Sequence, residues 1–329
     1  MFTLPVMARI LIIKLGALGD TILATPIIDR IRAHHAGDAV TVLTSPPFES
    51  IFCDWPGLDT VTFARKGLRA ALATIAWMRR QRFDRVYDLQ SSDRTRAYCA
   101  LSGIPECVGN HPCWPYTIHP ADAWSGGYHI FERLNQILHS AGIAPAKPVV
   151  YLPLAEVKRQ EVCDWLRQRG LADDQFAIMH AGASEKHPHK CWPYYQQLAA
   201  ALQEQALNTV WIGGREDSER NRMLAKTCGV DASQCFSVNQ LAELARHARF
   251  AMTNDSGPMH ALSGSGIPVY AFFGLTNPMR NHALGQEEHV ITRQPPGIKG
   301  KRLTNPDYRL ANIDCEEVLS RLRRDNMIE

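Results

Sequence analysis

Residues 9–26 read "RILIIKLGALGDTILATP". An apolar run from Arg9 to Leu15 stops at Gly16, and Gly19 follows three residues later. Asp20 then heads a stretch, Thr21 to His34, with the apolar spacing of a helix. Strand, glycine loop and helix in that order form the first half of a βαβ crossover. Many α/β proteins bind phosphate at such a turn; this chain places a carboxylate there. Asp20 has two readings at that point: a helix cap, or a group that takes a proton from a bound molecule.

The alternation continues outward from this turn. Strand-like runs at Arg9–Leu15, Val40–Thr44, Thr60–Phe63 and Arg85–Leu89 are separated by helical patterns at Thr21–His34, Leu68–Arg80 and Arg94–Ser102. Strands joined by helices of this length predict a parallel sheet. The stretch "PAKPVVYLPL" (Pro145–Leu154) then reads as an extended linker. A second cycle follows: a helix at Glu156–Arg169, the strand "FAIMHAG", a helix near Tyr194–Gln205, the strand "TVWIGG", a helix at Ser218–Cys228, the strand "RFAMTND", a helix at His260–Ser265 and the strand "PVYAFFG". A last helix at Asp314–Asp325 starts on Asp314 as its N-cap. The chain therefore predicts two Rossmann-like α/β domains in tandem, residues 1–154 and 155–329, with residues 1–6 as an unstructured extension.

Bulk properties exclude several classes. With 329 residues, 45% hydrophobic and 21% charged, the chain is expected to be globular. No apolar run reaches the roughly 20 residues of a membrane span, and Lys14 interrupts the only apolar stretch near the N-terminus that resembles a signal peptide. Nine cysteines, an odd count without C-x-x-C pairs, argue against a disulfide framework or structural zinc and for free thiols in a reducing cytosol.

The formal charge of +3 is unevenly placed. Residues 1–155 carry 15 Lys+Arg against 12 Asp+Glu, and the remainder carries 21 against 21. Within 65–96, nine basic residues, among them Arg65, Lys66 and Arg69, face only Asp84, Asp88 and Asp93. Such a cluster is either a solvated helix face or a site for an anionic ligand. Nucleic acid is not expected, because basic and aromatic residues do not interleave.

In parallel sheets, ligands bind outside the carboxyl ends of strands. Four motifs fall there: "GALGD", "HAGASEKHPHKCWP", "GGRED" and "TNDSGPMHAL". In the last, Asp255, Ser256 and Gly257 form a turn, and Pro258 suits the first turn of a helix that carries His260. That turn is either ordinary capping or an anion site. The second motif puts Lys186, His187, His189 and Lys190 in one strand-to-helix loop, where Ala181, Gly182, Ala183 and Ser184 leave room for a phosphate that Lys190 could neutralise, while His187 and His189 without nearby carboxylates are weak metal ligands. Glu216 in the third is placed to accept hydrogen bonds from a ribose or to cap a helix.

Taken together and in this order, "RILIIKLGALGDTILATPII", "HAGAS…KCWP", "GGRED" and "TNDSGPMHALSGSGIPVYAFFGLTNP" resemble glycosyltransferase family 9, the ADP-heptose:lipopolysaccharide heptosyltransferases. The resemblance implies a GT-B fold, two Rossmann-like domains with parallel sheets facing a central cleft, and allows the last helix to pack back on the N-terminal domain. It implies metal-independent, inverting transfer of heptose from ADP-L-glycero-β-D-manno-heptose to the lipopolysaccharide inner core, with no cofactor. By the same resemblance Asp20 matches the catalytic base on the Gly16–Gly19 loop. Lys190, Glu216, Asp255, Ser256, Gly257 and His260 match the donor site in the C-terminal domain. Arg65, Lys66 and Arg69 are then placed to hold an acidic glycolipid or oligosaccharide acceptor. The expected location is the cytoplasm, with peripheral association at the inner membrane. A nucleotide-sugar isomerase or hydrolase, and a non-catalytic carbohydrate-binding protein, are the alternatives the residues leave open. Free sugar released without acceptor would mark the first, and ligand binding indifferent to Asp20→Ala the second.

Overall fold

The computed structural model describes residues 7–123, 126–183, 187–298, 300 and 303–329. The chain divides into two compact units, with the boundary between Tyr151 and Leu152.

The first unit contains β1 (Arg9–Ile13), α1 (Leu18–Leu23), α2 (Thr25–His34), β2 (Ala39–Thr44), β3 (Asp59–Thr62), α3 (Leu68–Gln81), β4 (Arg85–Asp88), α4 (Asp93–Ser102), β5 (Glu106–Val108) and α5 (Ile130–Ser140). All pairings in its sheet are parallel, in the order β3-β2-β1-β4-β5. The single helix expected over Thr21–His34 is two helices. Pro26 has no N–H to continue a helix, so it sits in the first turn of α2, and the Thr25 hydroxyl donates to Ile22 O at 2.7 Å across the break.

The second unit contains α6 (Glu156–Gln168), β6 (Phe176–His180), α7 (Tyr195–Glu204), β7 (Asn208–Trp211), α8 (Ser218–Thr227), β8 (Val230–Asp231), α9 (Val238–Arg246), β9 (Phe250–Asn254), α10 (Gly257–Leu262), β10 (Val269–Phe273), α11 (Pro278–Asn281), β11 (Val290–Thr292) and α12 (Cys315–Arg324). Its sheet is parallel throughout, in the order β11-β10-β9-β6-β7-β8. Every residue of β6, β9 and β10 is buried, as expected of strands covered on both faces. The last helix starts on Asp314, whose carboxylate accepts from Glu317 N at 2.8 Å. Its Val318, Leu319 and Leu322 are buried with Leu198, Leu202 and Tyr270 in this second unit.

Both sheets reverse their direction of winding next to their first strand, between β1 and β4 and between β6 and β9. Those are the two places where a ligand crevice is expected in an open parallel sheet. Among the described residues, no helix is long and apolar enough to cross a membrane.

Candidate active site

At the reversal in the second unit, β6 ends on His180 and β9 on Asn254, and both side chains are buried. Asn254 is a structural tie. Its Oδ1 accepts from Trp192 N at 3.0 Å and from the Tyr195 hydroxyl at 3.2 Å, and its Nδ2 donates to Gly182 O at 2.8 Å. The loop after β6 is thus fixed to the end of β9, and Lys190 and Asp255 meet as a consequence. Lys190 Nζ lies 2.5 Å from Asp255 Oδ2, which also accepts from the Thr276 hydroxyl at 2.7 Å. Asn281 Nδ2 donates to the other oxygen, Oδ1, at 3.1 Å. A buried carboxylate with three donors is satisfied and rigid. Lys190 keeps 20% of its side-chain surface exposed, against 5% for Asp255.

A second network runs alongside. Ser256 Oγ and His180 Nδ1 are 3.0 Å apart, and His180 Nε2 stands 3.6 Å from Asp217 Oδ2. Asp217 also accepts from Gly214 N at 3.1 Å, and Arg220 Nη1 lies 3.5 Å from its Oδ1. Burial opposes ionisation of Asp217, but His180, the Gly214 N–H and Arg220 together hold its carboxyl below the usual range. The single hydrogen of the Ser256 hydroxyl goes to Asn254 O at 3.1 Å, so Ser256 bridges the ends of β6 and β9 through His180 and Asn254. Two glycines admit Asp217 to this position. A Cβ on Gly182 would lie 1.9 Å from Asp217 Oδ1, and one on Gly213 would lie 2.5 Å from its Cβ.

Of the residues singled out by sequence, Lys190, Asp255, Ser256 and Gly257 come together here, and His260 is buried on α10 close behind them. Glu216 does not join them. It is exposed, and the inward carboxylate of "GGRED" is its neighbour Asp217. Ser184 and Lys186 lie outside the described residues. Among the described residues, no group of three His, Cys, Asp or Glu is arranged to hold a metal ion. His180, Asp217, Thr276 and Asn281 were not legible as site residues, because each becomes relevant only through contacts between separate turns.

In the first unit, Gly16 has φ +118°, and a Cβ there would lie 2.2 Å from the Phe48 ring, so the loop after β1 requires glycine. The N-cap of α1 is Ala17, which puts Asp20 at the third position of the helix, exposed to solvent. Beneath the loop, Lys14 is buried and donates to Leu89 O at 3.2 Å. Burial lowers the pKa of its ammonium, while Asp20 and then Asp88 work the other way. Asp88, fully buried at the end of β4, accepts from the Tyr116 hydroxyl at 2.6 Å and from Gln90 N and Ser91 N, each at 3.1 Å. Its carboxyl is raised by burial against the pull of those donors. Lys14 was visible in the sequence as a cation inside an apolar strand, the one signal of this cluster. Arg65, Lys66 and Arg69 are all exposed, before and in the first turn of α3.

Two parallel-sheet units, of strand order 3-2-1-4-5 and 3-2-1-4-5-6 counted within each, both with polar groups gathered at the reversal point, define the GT-B class of two-domain α/β proteins. The sequence matches the profile of glycosyltransferase family 9 (heptosyltransferase) over residues 72–305, and the chain belongs to that family. It is 25% identical to lipopolysaccharide heptosyltransferase 2 of Escherichia coli (strain K12), over 65% of this chain and 66% of that one, just under two thirds of the relative's length. Among solved structures, a family 9 glycosyl transferase from Veillonella parvula superposes with a TM-score of 0.80 at 21% identity, covering 96% of each chain. The E. coli ADP-heptose lps heptosyltransferase II superposes with a TM-score of 0.74 at 18% identity, covering 96% of this chain and 98% of the other.

Proposed function

We propose that this protein is an inverting glycosyltransferase that moves a heptose from ADP-L-glycero-β-D-manno-heptose to the inner core of lipopolysaccharide. The observation that carries this reading is the match over 72–305, which contains the Lys190–Asp255 pair and the Ser256–Gly257 turn. The two similar proteins named for heptosyl transfer act, by their names, on lipopolysaccharide or on ADP-heptose.

In this reading the second unit holds the donor. The Lys190 ammonium stabilises the diphosphate as negative charge collects on it in the transition state. Asp255 orients Lys190 and the turn, and Ser256, Gly257 and His260 line the same place. Glu216, exposed beside the second network, is left to contact the nucleoside. In the first unit Asp20 takes the proton from the acceptor hydroxyl as its oxygen bonds to the anomeric carbon. The bond from that carbon to the ADP oxygen breaks, the configuration inverts, and ADP leaves with the electron pair. Asp20 lies upstream of the family match, so its assignment rests on the geometry of the loop: exposed, and not at the capping position. Arg65, Lys66 and Arg69 supply a positive field for a phosphorylated acceptor. The reaction takes place on the cytoplasmic side, where the nucleotide sugar is available.

The test is direct. The protein is incubated with ADP-heptose and truncated lipopolysaccharide acceptors, and the products are read by mass spectrometry. A gain of one heptose on the acceptor supports the reading. Free heptose formed equally well without acceptor would replace it with hydrolysis, and an unchanged acceptor with bound ADP-heptose would replace it with a binding function.

A further inference from the structure

Helix α3 carries more apolar surface outward than its packing needs. Its inward face, Thr74 and Met78 with the partly buried Ile75 and Trp77, closes the core of the first unit. At the start of the helix Leu68 is 75% exposed and Leu72 57% exposed. One turn apart, the two side chains stack on the same face. A single exposed leucine needs no explanation, but two in register on one helix do.

The surroundings of this pair are strongly basic. Residues 64–82 contain six Lys or Arg and no Asp or Glu. The first turn of α4 extends the patch: Arg94 Nη1 donates to Arg65 O, and Arg96 Nη1 lies 3.9 Å from Cys113 Sγ. The next residue, Trp114, is 74% exposed. Asp93 is the only acid on α4, and residues 109–118 contain none. Leucines and a tryptophan set among arginines are the composition of a surface that lies in a membrane interface, with rings and alkyl chains at headgroup depth and cations on lipid phosphates.

We infer that the outer face of α3, together with the Trp114 loop, docks on an anionic lipid bilayer. Charge complementarity selects this occupant. A second copy of the chain would bring the same basic patch against itself across a two-fold axis. A soluble polyanion would satisfy the arginines but leave the leucines in water. The α3 helix is roughly 21 Å long, so it lies along the surface and does not span it. The inference goes beyond the transferase reading: it assigns a docking surface, and it stands or falls by lipid binding without any turnover.

The experiment is co-sedimentation of the full chain with vesicles of phosphatidylglycerol mixed into phosphatidylcholine, against phosphatidylcholine alone. Binding to the mixed vesicles, weakened by salt, is expected, with a blue shift in tryptophan emission that Trp114→Phe removes. The double change Leu68→Asn and Leu72→Asn should lower vesicle affinity by about tenfold or more, since transfer of even part of two leucines is worth that factor. It should leave ADP binding and heparin retention as they are, which shows that the variant is folded and still basic. Three results overturn the inference: no binding to the anionic vesicles, vesicle binding by the double variant equal to wild type, or an emission shift that survives Trp114→Phe.

Discussion

Lys190 Nζ stands 2.5 Å from Asp255 Oδ2, an ion pair that joins the loop after β6 to the turn after β9 alongside the Asn254 hydrogen bonds. Removing the lysine strips Asp255 of its cation but leaves it Thr276 and Asn281 as donors. The expected loss is therefore below the roughly 3–5 kcal/mol of a broken, fully buried pair. A double-mutant cycle of Lys190→Ala and Asp255→Asn, read by urea unfolding, should return a coupling of about 1–3 kcal/mol. Additivity within about 0.5 kcal/mol would show the pair to be energetically idle. Independently, Lys190→Ala should weaken ADP binding by roughly 10- to 100-fold, the worth of one charge-assisted hydrogen bond. His260→Ala should weaken it less. Unchanged affinity in calorimetry would move the diphosphate away from Lys190.

The proposed base is tested by Asp20→Asn, which preserves shape and removes basicity. Exposed on the first turn of α1, Asp20 contributes little to packing, so the variant should unfold like the parent. Its kcat should fall by about 10²- to 10⁴-fold with ADP affinity unaltered. Steady-state kinetics at saturating donor decide the matter, and a rate close to wild type would remove Asp20 from the chemistry.

Acceptor binding should depend on salt more steeply than donor binding. The exposed charges at Arg65, Lys66 and Arg69 act through water and are screened over roughly 10 Å at 0.1 M salt. Replacing all three with glutamine should raise acceptor KM at low ionic strength and flatten its salt dependence, with donor KM unmoved. Arg323→Ala, whose partner is the exposed Glu316 at 2.7 Å, serves as the control. An acceptor KM indifferent to the triple change would make the cluster a solvated helix face.

Asp217 makes stability pH-dependent in a defined direction. Its folded carboxyl titrates below the usual value, so the folded state holds the ionised form more tightly than the unfolded state does. The contribution is complete above the unfolded value of about 3.9 and is lost as pH falls through the lower, folded value. Urea midpoints measured from about pH 6 to about pH 2.5 should show the wild type losing its lead over Asp217→Asn across that window. A constant difference over the whole range would contradict the sign of the shift.

Transfer should persist in excess chelator. Lys190 is the cation proposed to face the leaving diphosphate, and no described group of three His, Cys, Asp or Glu could hold a metal. Activity lost in EDTA and restored by magnesium or manganese would require a metal in the donor site.

The two parallel sheets were legible because both units repeat a strong local signal: an apolar strand, a small-residue turn, a helix; the order of strands within each sheet came from the structure. The split at Pro26 and the start of α10 at Gly257 were within reach of proline's chemistry. Helix α9 went unread, although "SVNQ" is a capping sequence and Ser237 Oγ does accept from Gln240 N. Strands β5, β8 and β11 have only three, two and three residues, too short for a period to show. At the site, Lys190 and the 255–257 turn stood out as charged or glycine-bearing ends of strands. His180 and Asp217 did not. Adjacent acids such as Glu216 and Asp217 are equivalent in a sequence, and only the turn geometry decides which one faces inward.

Gly182 and Gly213 carry no functional group, yet the Asp217 carboxylate occupies the volume their side chains would fill. In a saturation-mutagenesis map these two positions should therefore score like reactive residues. Alanine at either one evicts Asp217 and so releases His180 from its partner. An engineer who transplanted the polar residues alone onto another scaffold would obtain the groups without the empty space that lets them meet.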